Sequence, residues 1–200
     1  MPNVTVVGCF AHVRRKFDEA LKILPADKRA GTDAAKGLDY CNRLFDLERE
    51  YAELSPDDRQ RKRLETSLPI AEEFLAWAKT FVNRPKSVTT TATNYLIGQW
   101  PYLKNVFLDG RLELSNNRAE RSIKPFVIGR KNWLFSNTHK GAEASSVVYS
   151  VIQTAIENGL NPFEYLKFLF ETLPNCTTSQ LETLLPWSPM LQLRSKVHRV

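Results

Sequence analysis

Val4-Thr5-Val6-Val7-Gly8-Cys9-Phe10 decides how the rest of the chain is read. Its apolar side chains run almost without interruption, as in a strand buried on both faces. A helical pattern follows at once: Val13, Phe17, Ala20, Leu21 and Leu24 recur at one-face spacing until Pro25 ends it. The polar side of that helix carries Arg14, Arg15, Lys16 and Lys22, with Asp18 and Glu19 between them. The expectation is a short strand leading straight into an amphipathic helix.

Downstream the pattern is helical as far as residue 105. Tyr40, Leu44, Leu47, Tyr51 and Leu54 form a second stripe. Ser55-Pro56-Asp57-Asp58 reads as a helix start: a cap, a first-turn proline and acids at the positive dipole end. That helix carries Arg59, Arg61, Lys62 and Arg63, and Pro69 is expected to kink or divide it. Ser87 caps a further helix that Pro101 bends. Asp109-Gly110 is a turn. Asn117-Arg118-Ala119-Glu120 opens another helix, which Pro125 is expected to limit to about two turns. Ala144 to Ala155 mark a strong helix stopped by Gly159, and Asn161-Pro162-Phe163-Glu164 starts the last one. The stretch from 186 to 200 is basic and is expected to be a mobile tail.

Composition narrows the class. The 200 residues are 42% hydrophobic and 25% charged, which excludes disordered and low-complexity chains. No apolar run is long enough to span a bilayer, and the start lacks signal-peptide character, so the cytoplasm is the expected location. Cys9, Cys41 and Cys176 form no metal-binding spacing and are expected to be reduced and mostly buried. Nucleotide-binding, nucleophile-elbow and zincin motifs are absent.

The charge is concentrated. Of a net +6, residues 115–140 supply +5: Arg118, Arg121, Lys124, Arg130, Lys131 and Lys140 against Glu120 alone. In Ser115-Asn116-Asn117-Arg118-Ala119-Glu120-Arg121-Ser122-Ile123-Lys124-Pro125, helical spacing puts Asn116, Glu120 and Lys124 on one face. Ala119 and Ile123 are expected to point inward. Two readings of this cluster stand side by side. Glu120 can ligate a hard cation while Arg and Lys hold phosphate. Equally, it can be a capping-box residue reaching back to Asn117, with the cations merely solvated. Gly129-Arg130-Lys131-Asn132-Trp133 sets two cations beside an indole, suited to phosphate contact and base stacking or to a plain surface loop.

Taken together, five ordered stretches resemble the C-terminal part of the IS-sixty-six-type insertion-sequence transposases of bacteria. They are Gly8 to Phe17, Asn116 to Pro125, Gly129 to Phe135, Asn161 to Leu166 and Leu184-Leu185-Pro186-Trp187. Phe10 stands where that family usually has Trp, and Lys124 where it has Arg. The resemblance implies a mostly α chain with minor β, the C-terminal portion of an RNase H-like α/β core interrupted by a helical insertion. The expected organisation is 1–25 strand and helix of the core, 26–108 insertion, 109–174 glutamate-bearing segment and C-terminal helices, and 175–200 tail. It further implies DDE chemistry, in which two aspartates and a glutamate hold Mg²⁺ and DNA is the substrate.

The glutamate maps to Glu120, as catalytic residue and metal ligand. DNA contacts fall to Arg14, Arg15, Lys16, Asn117, Arg118, Arg121, Lys124, Arg130, Lys131 and Trp133. Both aspartates of the family lie upstream of the segment that begins here at Val4. The 200 residues are therefore expected to be inactive alone, with Mg²⁺ held weakly or not at all, and to act with an upstream transposase fragment or as a homo-oligomer. Expected DNA partners are transposon ends and target, with no membrane. Two other classes compete: a non-catalytic helical DNA-binding or regulatory module, and a helical interaction scaffold built on the 40–54 stripe.

Overall fold

The computed structural model describes residues 4–133 and 136–192, the side chains of 130–133 excepted. The chain divides into two compact units, Met1–Arg118 and Ala119–Val200.

The first unit is built on α1 (Phe10–Lys22), α2 (Asp33–Glu50), α3 (Pro56–Lys62), α4 (Leu68–Lys79) and α5 (Val88–Leu103). Phe10, Val13, Phe17 and Ala20 line one side of α1, and all are buried. They meet Tyr40, Cys41 and Leu44 of α2, Phe74 and Ala78 of α4, and Leu96 of α5 in one core. Tyr40 stacks on Phe74 at 4.9 Å between ring centroids. Its hydroxyl donates to Glu73 Oε1 at 2.7 Å. Burial, with that carboxylate next in effect, pushes the phenol up to about 12. The 40–54 stripe is thus largely spent inside the molecule: Tyr40, Leu44 and Tyr51 are buried, and only Leu54 at its end is exposed.

Helix starts follow the sequence closely. Ser55 accepts the Asp58 amide and Ser87 the Thr90 amide, each satisfying a first-turn donor. Pro69 does divide its helix, through a π-helical stretch, Arg63–Ser67, just before α4. A proline cannot donate to the carbonyl four residues back, and one wider turn accommodates its ring.

The sheet expectation is overturned. Every regular element among the described residues is helical, so the chain is not a portion of an RNase H-like α/β core. Residues 4–9 take no regular structure and form no ladder, although Cys9 itself has extended backbone. Their polar groups go to helix ends and a loop instead: Gly8 N donates to Tyr102 O, Phe10 N to Leu114 O, and Asn105 Nδ2 to Val6 O. Val4 and Val6 remain more than half exposed, so the apolar run is not buried on both faces. β-propensity makes a strand only where a neighbour offers a complementary edge, and the described residues offer none.

Gly110 closes the first unit. A Cβ there would lie 1.8 Å from Pro56 O and 2.7 Å from Pro56 C, at the start of α3. Because the obstacle is backbone, Gly110→Ala is expected to lower unfolding free energy by about 1–3 kcal/mol. Urea titration followed by circular dichroism checks this; an unchanged midpoint would mean the loop yields freely.

The second unit holds α6, which begins in the first unit (Asn117–Trp133), α7 (His139–Glu157) and α8 (Pro162–Thr172). Thr138 and Asn161 cap α7 and α8 through their side chains. Gly159, at φ +74°, ends α7. Its amide and that of Leu160 return to Ile156 O and Ala155 O, both at 2.9 Å, the paired bonds of a Schellman stop. A small core of Ala155, Tyr165 and Leu191 forms between these elements. Tyr165 Oη donates to Leu184 O, and Gln192 Nε2 to Asn158 O and Pro186 O, so the segment 184–192 is fastened onto α7 and α8. The basic Arg194, Lys196 and Arg199 lie outside the described residues.

Pro125 does not end its helix. α6 runs on to Trp133, so the backbone of Gly129 to Trp133 is helical and not a surface loop. Arg121 and Pro125 are exposed, so water can donate to the Arg121 carbonyl that loses its partner.

Candidate nucleic-acid interface

Two sequence clusters meet at the start of α6. The loop that leads into it is held by the N-terminal segment: Leu114 O accepts from Phe10 N, and Cys9 Sγ accepts from Asn116 N at 3.4 Å. Ser115 Oγ then accepts the Asn117 amide at 3.1 Å, covering one of the helix's unpaired donors. Gly8-Cys9-Phe10 and Ser115-Asn116-Asn117 are therefore neighbours, and the first fixes where the second begins its helix.

Within α6, Asn117, Arg118, Glu120, Arg121 and Lys124 are all exposed. Glu120 lies in the first turn, where a negative charge meets the positive end of the helix dipole. Lys124 follows one turn later on the same face. Arg118 Nη1 lies 3.4 Å from Glu113 Oε1, a surface pair with both side chains about half exposed (56% and 50%). Such an exposed pair contributes little to stability. Ala119 and Ile123 do not point inward as expected: both are exposed, Ile123 at 60%. Arg130, Lys131 and Trp133 have their backbone in α6, but their side chains lie outside the described residues.

The α1 cations belong to the first unit. Arg15 is exposed, Arg14 is half-buried with Nε donating to Asn42 Oδ1 at 2.9 Å, and Lys16 pairs with Glu19 at 3.4 Å. Between α6 and α7 runs an open groove of about 410 Å³, bordered by Ser122, Phe126, Tyr149, Gln153 and Glu157. Phe126 and Tyr149 meet edge to face across it at 5.2 Å. Sequence spacing gave no hint of this groove, because its residues are drawn from two helices more than 20 positions apart.

The residues match the description Transposase IS66 family over 1–144 and IS66 C-terminal element over 150–187. The chain belongs to the IS66 transposase family. Three proteins of Sinorhizobium fredii are similar to it over most of its length. Uncharacterized protein y4hP is 30% identical across 92% of the chain, and uncharacterized protein y4jD 32% across 90%. In each case the match takes up 35% of the relative, so the chain spans about a third of the length of these relatives. No solved structure gives a significant match.

The first family match contains Glu120 and every cation from Arg14 to Lys131 considered above. A metal-dependent DDE reaction is characteristic of such a family, so the fit of Mg²⁺ to these residues matters. Among the described residues, no three of His, Cys, Asp or Glu come together as a metal site. An exposed Glu120 offers one hard oxygen ligand where Mg²⁺ takes six oxygens, several of them water. The described residues therefore do not make a Mg²⁺ site by themselves. Among them, no helix is long and apolar enough to cross a membrane.

All three cysteines are free, and Cys41 is fully buried, which pushes its thiol up to about 12. Cys9 and Cys176 are half-buried.

Proposed function

We propose that this chain is the glutamate-bearing, DNA-contacting portion of an IS66 transposase, working in DNA transposition with Glu120 as the third acid of a DDE site. One observation carries the reading: an exposed acid in the first turn of α6, with Arg118, Arg121 and Lys124 within one turn of it, inside the family-matched segment. Capping explains an acid at that position but not the cations gathered around it.

The division of labour follows from the side chains. Arg118 and Arg121 present forked donors suited to phosphate oxygens, Lys124 a point charge, and Asn117 a neutral amide at the helix start. Arg14, Arg15, Lys16, Arg130 and Lys131 extend the phosphate contacts, and Trp133 offers a stacking face. Glu120 brings one carboxylate to the scissile region. The other acids, and with them Mg²⁺, belong to the part of the family protein outside these residues.

The lone acid favours a second reading for the isolated chain, a non-catalytic helical DNA-binding module. Both readings require phosphate-driven binding. Affinity for duplex DNA of arbitrary sequence is expected to fall with salt, with a log–log slope of about −4 to −5 if some five phosphates are contacted. Arg121→Gln and Lys124→Gln should each reduce that slope by about 1. Fluorescence anisotropy from 50 to 200 mM salt measures both. A flat salt dependence would instead support the interaction-scaffold reading.

A further inference from the structure

Two side chains more than 100 positions apart hold the start of α6. Cys9 lies between anchored neighbours. Gly8 N donates to Tyr102 O at 2.9 Å, and a Cβ on Gly8 would meet Leu103 N at 2.8 Å, so this residue is pressed against the end of α5. Phe10 N donates to Leu114 O at 3.0 Å, and the side chains of both residues are buried in the core of the first unit. With both flanks fixed, the half-buried Cys9 thiol has a set place. There it accepts the Asn116 amide at 3.4 Å and donates toward Ser115 Oγ at 4.0 Å. Ser115 Oγ in turn accepts the Asn117 amide at 3.1 Å. Two successive amides that no carbonyl of α6 can serve therefore end on one joined pair of side chains.

We propose that Cys9 and Ser115 are positioning residues for the transposase reaction, acting as one unit that sets the register at which α6 begins and with it the turn that carries Glu120. The inference rests on the reading of Glu120 as a catalytic acid given above. Glu120 lies in the first turn of α6, directly after the two held amides. A slip of the helix by one residue against its anchor would turn each side chain by about 100° and move it about 1.5 Å along the axis. Catalysis tolerates little of this, since a misplacement of about 1 Å can cost on the order of 100-fold in rate. Phosphate contacts made by long Arg and Lys side chains tolerate more, because the charged heads can readjust on their stems. Loss of the pair is therefore felt in cleavage and not in DNA affinity.

The test has two arms. In this chain, hydrogen exchange read by mass spectrometry follows the amides of residues 115–121. Cys9→Ala and Ser115→Ala are each expected to speed that exchange by at least about tenfold while exchange in α2 and α4 stays unchanged. Ser115→Thr, which keeps the hydroxyl, should restore the protection. In the complete transposase, each alanine variant should slow single-turnover cleavage of transposon-end DNA by about tenfold with DNA affinity within about twofold, and the double variant should lose no more than either single one. Cys176→Ala should change neither readout. Unchanged exchange at 115–121, additive losses in the double variant, or cleavage at the wild-type rate by both alanine variants would overturn the proposal. Cleavage at the wild-type rate by Glu120→Gln would instead overturn the role of the acid, while the exchange data still decide whether the pair holds the helix start. The two readings can therefore fail separately.

Discussion

Arg63→Met is expected to destabilise the first unit by about 3 kcal/mol, the largest stability effect of any single polar substitution there. Arg63 is 1% exposed, and its guanidinium is fully engaged. Nε donates to Glu48 Oε2 at 2.9 Å and Nη2 to Glu48 Oε1, a two-pronged pair. Nη2 also donates to Leu112 O at 2.7 Å, and Nη1 to Asp109 O and Val106 O. One side chain thus ties α2 to the connection between α5 and α6. Removing it strips the donor from three carbonyls and leaves the partly buried Glu48 carboxylate uncompensated. Met replaces the stem of the side chain but supplies neither the guanidinium donors nor the charge. Adding Glu48→Leu should recover part of the loss, because an apolar pair costs less than an orphaned charge. Thermal unfolding of the single and double variants checks both statements. Equal midpoints for wild type and Arg63→Met would mean that solvent reaches this pair.

Arg63 also shows where sequence reading fails. In the run Arg59 to Arg63, every cation looks like part of a solvated helix face. Arg61 and Lys62 are indeed on the surface, paired with Asp58 and Glu65. Arg59 donates to Tyr51 O and Ala52 O, and Arg63 is buried outright. The difference is made by Glu48 and by carbonyls more than 40 positions away, which no local pattern contains. Caps, by contrast, were legible because they act within three residues: Ser55, Ser87 and Asn161 each accept amides two or three positions ahead. The error over residues 4–10 has the same origin as the one over Arg63. A strand is a property of two segments, and the residues next to this one are helix ends and a loop.

The candidate site was legible in its residue types and less so in its shape. The basic cluster and Glu120 stand together on α6 because helical spacing is local. The length of α6 beyond Pro125 was not legible, since an exposed proline can leave its orphaned carbonyl to water. The exposure of Ala119 and Ile123 was not legible either. An apolar row reads as inward-facing whether or not its own unit buries it.

Glu120→Gln in the complete transposase is expected to lower DNA cleavage by about 10³-fold while leaving DNA affinity within about twofold. The amide keeps the shape of the side chain and its ability to accept a hydrogen bond, but it loses the negative charge that a catalytic acid contributes. Affinity survives because the phosphate contacts come from Arg118, Arg121, Lys124 and the other cations. A capping role predicts the opposite pattern: Gln serves in a capping box as well as Glu, so activity would persist. The decisive measurement is therefore single-turnover cleavage of transposon-end DNA by the Glu120→Gln protein, with anisotropy on the same preparation. Lost cleavage with retained binding is the predicted result, and cleavage at the wild-type rate would contradict the assignment of Glu120 as the third acid.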